Sequence, residues 1–254
     1  MNNQASKLYF RIEYLSAIDS TNLEAVRRAE RGEAPGLVLV ADFQSAGRGR
    51  LGRTWEAKPG SSLLASVLIS PDVELDYLGL IPLISGASLA ESVAEVSGFK
   101  PGLIWPNDIF GRRGKIGGIL VESRFENEQL KFLVIGSGVN LSQTKEDFPE
   151  EIRERASSVF LESGRVISRD ELLRVYLGHL WDALEKLEAK KFSELVENYS
   201  EWDIIRGKEI RLMMVEKEIV GIVSGIDERG RLKVKSEGKE MIFFAGEINM
   251  LRGV

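Results

Sequence analysis

The sequence contains no cysteine and one histidine, His179. The first absence removes disulfides, thiol nucleophiles and cysteine-ligated zinc or iron–sulfur centres, and fits a reducing compartment. The second removes multi-histidine metal sites and obliges any Ser-His-Asp triad to run through His179. An excess of positive charge is also missing. The net charge of −5 argues against a surface that embraces nucleic acid, while leaving room for a basic loop that takes a small phosphorylated ligand. The opening MNNQASKLYFRIEY has no basic-then-apolar leader pattern. The longest uncharged stretch, Tyr77 to Ala90, is too short and too interrupted by Pro and Gly to span a bilayer. These observations predict a cytoplasmic protein with neither DNA nor membrane as a partner.

What is present suits one large domain and a small appendage: 254 residues, 43% of them apolar, can bury a substantial core. A helix is predicted from Ser20 or Thr21 to Gly32, with Thr21-x-x-Glu24 as a capping box. Strands are predicted at 37–44 and 61–70, a mostly apolar helix at 78–98 ended by Gly98, and further strands through GLIWPNDIFGRRGKIGGILVESRF and LKFLVIGSGVNLS. Ser168-x-x-Glu171 opens a helix with the stripe Leu173, Leu177, Leu180, Leu184 and Leu187. His179 lies off that stripe, as an exposed or half-exposed helix residue. Beyond Trp202, short alternating strands separated by DERG and SEGK turns predict a small β-barrel. The expected division is 1–203 and 204–254.

Four stretches hold polar residues that a fold alone does not require. Asp19-Ser20-Thr21-Asn22 is explained by capping alone. FQSAGRGRLGRTW, residues 43–55, interleaves Gly47, Gly49 and Gly52 with Arg48, Arg50 and Arg53 and contains no acidic residue, so nothing nearby is expected to neutralise these arginines. Glycine permits φ > 0 and exposes backbone N–H groups, and arginine offers a fork of donors that matches carboxylate and phosphate oxygens, so the loop reads as an anion site. A solvated loop or an RNA-tracking Gly-Arg tract are the competing readings. It is neither a Walker A loop nor a dinucleotide fingerprint. In WPNDIFGRRGKIGG, residues 105–118, Pro106 and Asn107 suit a sharp turn. Asp108 there could serve a backbone cap, a cation such as Mg²⁺, or Arg112 or Arg113. Lys115 stands among Gly114, Gly117 and Gly118 at a strand start, where lysine has little packing value. GSGVN, residues 136–140, would let a flat ring lie on the backbone, with Asn140 supplying a donor and acceptor for an adenine edge. Taken by itself, GSGVN is better explained as a strand ending in a Gly turn.

Taken together and in order, DSTN, QSAGRGRLGRTW, WPNDIFGRRGKIGGILVE and GSGVN resemble the catalytic domain of biotin protein ligases. The terminal region resembles their small SH3-like domain. The resemblance implies an α+β fold: a mixed-sheet catalytic domain of the class II synthetase or biotin synthetase-like type, followed by an SH3-like β-barrel. It implies formation of biotinyl-5′-AMP from biotin and ATP with Mg²⁺, then transfer of biotin to a lysine of a biotin carboxyl carrier protein. It places Lys115, Arg48 and Arg50 at the reacting atoms. Ser20, Thr21, Asn22, Gln44, Gly47, Gly49 and Gly117 join them around biotin, and Arg53, Trp55, Asn107 and Asn140 around the nucleotide. Members of the family often dimerise through the sheet, so the resemblance is compatible with a homodimer. The bifunctional members carry a winged helix-turn-helix for which this N-terminus has no room. A lipoate or octanoyl transfer enzyme is the nearest competitor. Its cysteine-dependent form is excluded by composition, and its lysine-based form is disfavoured by GRGRLGR with WPND.

Overall fold

A computed structural model describes residues 10–214 and 217–250; residues 1–9 and 251–254, at the outer ends of the two expected domains, lie outside the described residues. Seven strands form one mixed sheet: β1 (Arg11–Leu15), β2 (Leu37–Ala41), β3 (Ser62–Ile69), β4 (Gly102–Ile104), β5 (Asp108–Phe110), β6 (Lys115–Glu126) and β7 (Gln129–Asn140). Their order is β1-β2-β3-β7-β6-β5-β4. β1 runs parallel to β2, whereas β2/β3, β4/β5 and β5/β6 are antiparallel. The sheet and the helices bear out the mixed α+β expectation.

The chain divides into two compact units. One takes in the described residues up to Pro71 and Leu120–Gly138; the other takes in Asp72–Ile119 and the described residues from Val139 onward. In the first, β2 and β3 are buried along their whole length, which explains sequences that are apolar at every position but Ser62 and Ser66. Helix α1 (Thr21–Glu30) packs Ala25 and Ala29 against Leu37, Leu39, Leu68, Phe132 and Val134. Its cap is Ser20, whose hydroxyl accepts from Leu23 N at 3.5 Å, so the predicted Thr21-x-x-Glu24 box does not form. Glu24 instead accepts from Arg27 and Arg28, both at 2.9 Å. Three and four residues on, these cations lie on the same helical face as Glu24.

In the second unit, α2 (Leu80–Ser97) ends at Gly98, which takes φ 71 as a left-handed terminator. By length and composition alone α2 would suffice to cross a bilayer, which the uncharged stretch 77–90 by itself would not. Here it is a core helix, with Ile81, Leu83, Leu89 and Val93 buried. It packs against α4 (Arg169–Glu188), on which all five predicted stripe leucines are buried. Each such side chain contributes about 1.5–3 kcal/mol through removal from water. His179 is half-buried between Glu95 at 3.0 Å and Glu91 at 3.7 Å, both on α2. Two shorter helices, α3 (Val159–Ser163) and α5 (Phe192–Ser200), complete the helical set.

The C-terminal strands β8 (Glu209–Met213), β9 (Glu218–Ile226), β10 (Leu232–Ser236), β11 (Lys239–Phe243) and β12 (Glu247–Met250) form an antiparallel sheet in the order β11-β10-β9-β8-β12. The predicted SEGK turn places Glu237 and Gly238 at φ 51 and 76, the paired positive φ of a tight hairpin. The DERG turn is tied by Asp227, which accepts from Arg229 N, Arg231 N and Arg231 Nε at 3.0, 2.9 and 2.6 Å. Gly230 in this turn, at φ 75, comes so close to Gly79 that a Cβ would lie 2.8 Å from Gly79 O. Buried Trp105 donates from Nε1 to Gly230 O at 3.0 Å, fixing the start of the WPND segment on this turn. Trp105→Phe keeps an aromatic side chain, though a smaller one, and removes the donor to Gly230 O. Denaturant unfolding is expected to show a loss of about 1–3 kcal/mol.

Candidate active site

The start of α1 places Ser20, Thr21 and Asn22 in the interior, and a row of polar contacts runs from them through the first unit. Gln44 Oε1 accepts from Thr21 N at 2.7 Å and from its hydroxyl at 3.0 Å. Thr21 Oγ1 and Ser66 Oγ lie 2.7 Å apart, and Ser66 donates to Asn22 Oδ1 at 2.5 Å. Asn22 Nδ2 donates to Leu120 O at 3.2 Å and to Glu122 Oε2 at 2.9 Å. The other oxygen of Glu122 accepts from Arg48 Nη1 at 2.8 Å. One end of the row is neutral and the other is charged. Gly136 on β7 is needed for it, because a Cβ there would lie 2.2 Å from Asn22 Oδ1.

Immediately before this row, Asp19 forms a two-pronged pair with Arg27, at 2.8 Å for each bond. The Arg27 hydrogen bond leads the causes that lower the Asp19 carboxyl to about 2, so the pair that steadies the entry to α1 persists into strongly acid solution.

The Gly-Arg loop forms a hairpin. Trp55 N donates to Gly47 O at 2.9 Å, Gly49 N to Arg53 O at 2.7 Å, and Arg48 bridges Thr54. The left-handed positions are Leu51 and Gly52, not Gly47 or Gly49. Gly47 is needed for proximity instead, since a Cβ would lie 2.3 Å from Trp55 O. The expectation that nothing neutralises Arg48 is corrected by Glu122, which arrives from 74 residues along the chain. Arg50 is half-buried and Arg53 exposed. The flat ring predicted to lie on GSGVN is the protein's own: the Trp55 indole lies where a Cβ on Gly138 would be, within 2.9 Å.

In the second unit, Asn107 closes a two-way contact with β6, donating from Nδ2 to Ile119 O at 2.8 Å while Ile119 N donates to Asn107 O at 2.9 Å. Among the roles open to Asp108, the structure selects a different one: it accepts from Lys115 Nζ at 2.6 Å. The Lys115 backbone is held on both sides, its N–H by Arg155 O at 2.9 Å and its carbonyl by Ser157 N at 2.8 Å. Gly114, at φ 154, permits this, since a Cβ would lie 2.6 Å from Arg155 O. The Arg112 and Arg113 amides donate to Glu162 at 2.9 and 3.0 Å, which pins the turn before Lys115. Gly117 and Gly118 pair with Ile109 and Asp108 across the β5/β6 ladder. A Cβ on Gly118 would stand 3.5 Å from Lys115 Nζ. The Asn140 amide, offered above to an adenine edge, is held by the protein at both ends: it donates to Ser157 O at 3.0 Å and accepts from Gln143 at 3.2 Å.

The expected residues are thus gathered into two sets. Ser20, Thr21, Asn22, Gln44, Gly47, Arg48, Gly49, Arg50, Arg53 and Trp55 belong to the first unit. Asn107, Lys115, Gly117 and Asn140 belong to the second. Sequence reasoning missed Ser66, Glu122 and Glu162. Ser66 is a fully buried hydroxyl inside the apolar run LLASVLI, and that lone polar position was a usable signal. Glu122 closes the quoted KIGGILVE motif without having been singled out, and nothing near Glu162 in sequence marks its partners.

Residues 14–140 match the biotin/lipoate A/B protein ligase family, and residues 206–251 match the biotin protein ligase C-terminal domain. The biotin–[acetyl-CoA-carboxylase] ligase of Mycobacterium tuberculosis is 30% identical over 259 residues, covering 95% of this chain and 89% of that one. The bifunctional ligase/repressor BirA of Bacillus spizizenii is 28% identical over 233 residues, covering 91% and 72% respectively. Among solved structures, the biotin protein ligase from Aquifex aeolicus in complex with biotin and ATP superposes with a TM-score of 0.81 at 30% identity, covering 94% of this chain and 97% of that one. This chain belongs to the biotin protein ligase family.

Proposed function

We propose that this protein joins biotin to ATP, forming biotinyl-5′-AMP, and passes the biotinyl group to a lysine of a biotin carboxyl carrier protein. A biotin carboxylate oxygen attacks the α-phosphorus, the bond to the bridging oxygen breaks, and pyrophosphate leaves. The neutral amine of the acceptor lysine then attacks the biotinyl carbonyl and AMP departs. The first step brings two anions together and requires fixed positive charge where they meet.

The observation that carries this reading is the polar row of the first unit, neutral from Gln44 through Asn22 and ending in charge at Glu122 and Arg48. Hydroxyl and amide groups suit an uncharged ureido ring, so Ser20, Thr21, Asn22 and Gln44 are assigned to it. Arg48 and Arg50 are assigned to carboxylate and phosphate oxygens, and Lys115 to the carboxyl oxygen and the α-phosphate. Asp108 steadies the Lys115 ammonium. Among the described residues no three His, Asp or Glu side chains converge on a metal position, so Mg²⁺ enters this reading as part of the substrate, bound to the phosphates of ATP. The similarity to ligases named for acetyl-CoA carboxylase supports a carboxyl carrier as acceptor. The domain limits 1–203 and 204–254, a cytoplasmic location, a homodimer and the lack of a DNA or membrane partner complete the proposal, the acidic net charge favouring the absence of nucleic acid.

Incubation with MgATP, biotin and a carrier domain should add the mass of one biotinyl group to a single carrier lysine. Pyrophosphate release should require biotin and be indifferent to RNA. Equal release with lipoate in place of biotin would instead favour the lipoate-transfer reading.

A further inference from the structure

Glu122 joins the buried Asn22 amide to Arg48 of the Gly-Arg loop. One carboxylate oxygen accepts from the buried amide of Asn22 at 2.9 Å and the other from the loop arginine Arg48 at 2.8 Å. A carboxylate only accepts, so its position dictates that Asn22 turns Nδ2 toward it and Oδ1 toward Ser66. The carbonyl of Leu120, accepting from the same Nδ2, enforces the same orientation. The contribution that Glu122 alone makes is therefore to Arg48, whose side chain is otherwise long, flexible and 43% exposed. An exposed ion pair does little for folding, but one that fixes a guanidinium beside a reacting anion lowers the entropy lost when that anion binds.

We infer that Glu122 is a positioning residue that aligns Arg48 of the Gly-Arg loop with the buried Asn22 row. The inference rests on the proposed ligase activity. Two physical consequences follow. Because Glu122 acts through Arg48, removing its charge matters only while Arg48 is present. Because it leaves the Asn22 orientation to Leu120 O, its loss should affect kcat for adenylation more than KM for biotin.

The test is a double-mutant cycle on biotin-dependent pyrophosphate release. Glu122→Gln keeps the shape and an acceptor for Asn22. It should lower kcat about tenfold in the wild-type background and change it less than twofold in the Arg48→Ala background. KM for biotin should stay within about twofold. Equal fold-losses in both backgrounds, or full activity of Glu122→Gln, would overturn the inference. If the glutamine variant unfolds, Glu122→Asp, which keeps the charge and shortens the reach, carries the same cycle with the same outcomes. A wild-type protein that releases no biotin-dependent pyrophosphate would sink the ligase reading itself, which separates the two failures.

Discussion

Lys115→Ala is expected to lower biotin-dependent pyrophosphate release by about 10²–10³-fold, the usual effect of deleting one fixed donor at a centre of developing negative charge. The structure gives the lysine two features suited to that role. Its backbone is clamped by Arg155 O and Ser157 N, and its ammonium is oriented by Asp108 at 2.6 Å. The fold should survive, because truncation leaves Asp108 with a side chain still 29% exposed to water and exposed pairs contribute at most about 1 kcal/mol. Circular dichroism melting and the pyrophosphate assay, run on one preparation, separate the two effects. Unchanged turnover in a folded variant would remove Lys115 from the reaction.

Gly136→Ala should have an effect of similar size through a different physical route. Its Cβ would lie 2.2 Å from Asn22 Oδ1 and 2.8 Å from the amide carbon, closer than real contacts allow. Both residues are buried, so Asn22 has to move and give up its bonds to Ser66, Leu120 O and Glu122. Overpacking at such a point costs about 1–3 kcal/mol of stability. The larger consequence falls on biotin recognition, where KM for biotin should rise at least about a hundredfold while KM for ATP changes little. A KM for biotin within twofold of wild type would show that the Asn22 row is not the ring site.

Much of the fold could be read directly because local rules and tertiary packing agree. The β2 and β3 runs are apolar except at Ser62 and Ser66 of β3, and they are buried throughout. The leucine stripe of α4 faces the core as its spacing requires. The cap of α1 was misplaced by one residue because Ser20 and Thr21 both have hydroxyls, and only the tertiary partner Gln44 decides which of them is free to cap. The site was legible where chemistry was concentrated along the chain, as in GRGRLGR and the Lys115 turn. It was not legible where partners are remote. Glu122 reaches Arg48 across 74 residues, and Glu162 reaches the Arg112 and Arg113 amides across about 50. The composition of one loop does not reveal an ion partner that arrives from another strand. The glycines likewise signalled the right places for reasons that sequence alone does not separate: Gly52 and Gly114 supply positive φ, whereas Gly47, Gly136 and Gly138 make room for another group.

The Trp105 bond to Gly230 ties the segment that precedes Asp108 to a turn more than a hundred residues later. A fragment ended short of that turn would keep a greasy indole whose one polar hydrogen had lost its acceptor, and an α2 start whose Gly79 had lost its neighbour. Cutting away the terminal strands is therefore not a neutral trimming of the chain; it reaches into the scaffold on which Lys115 is mounted.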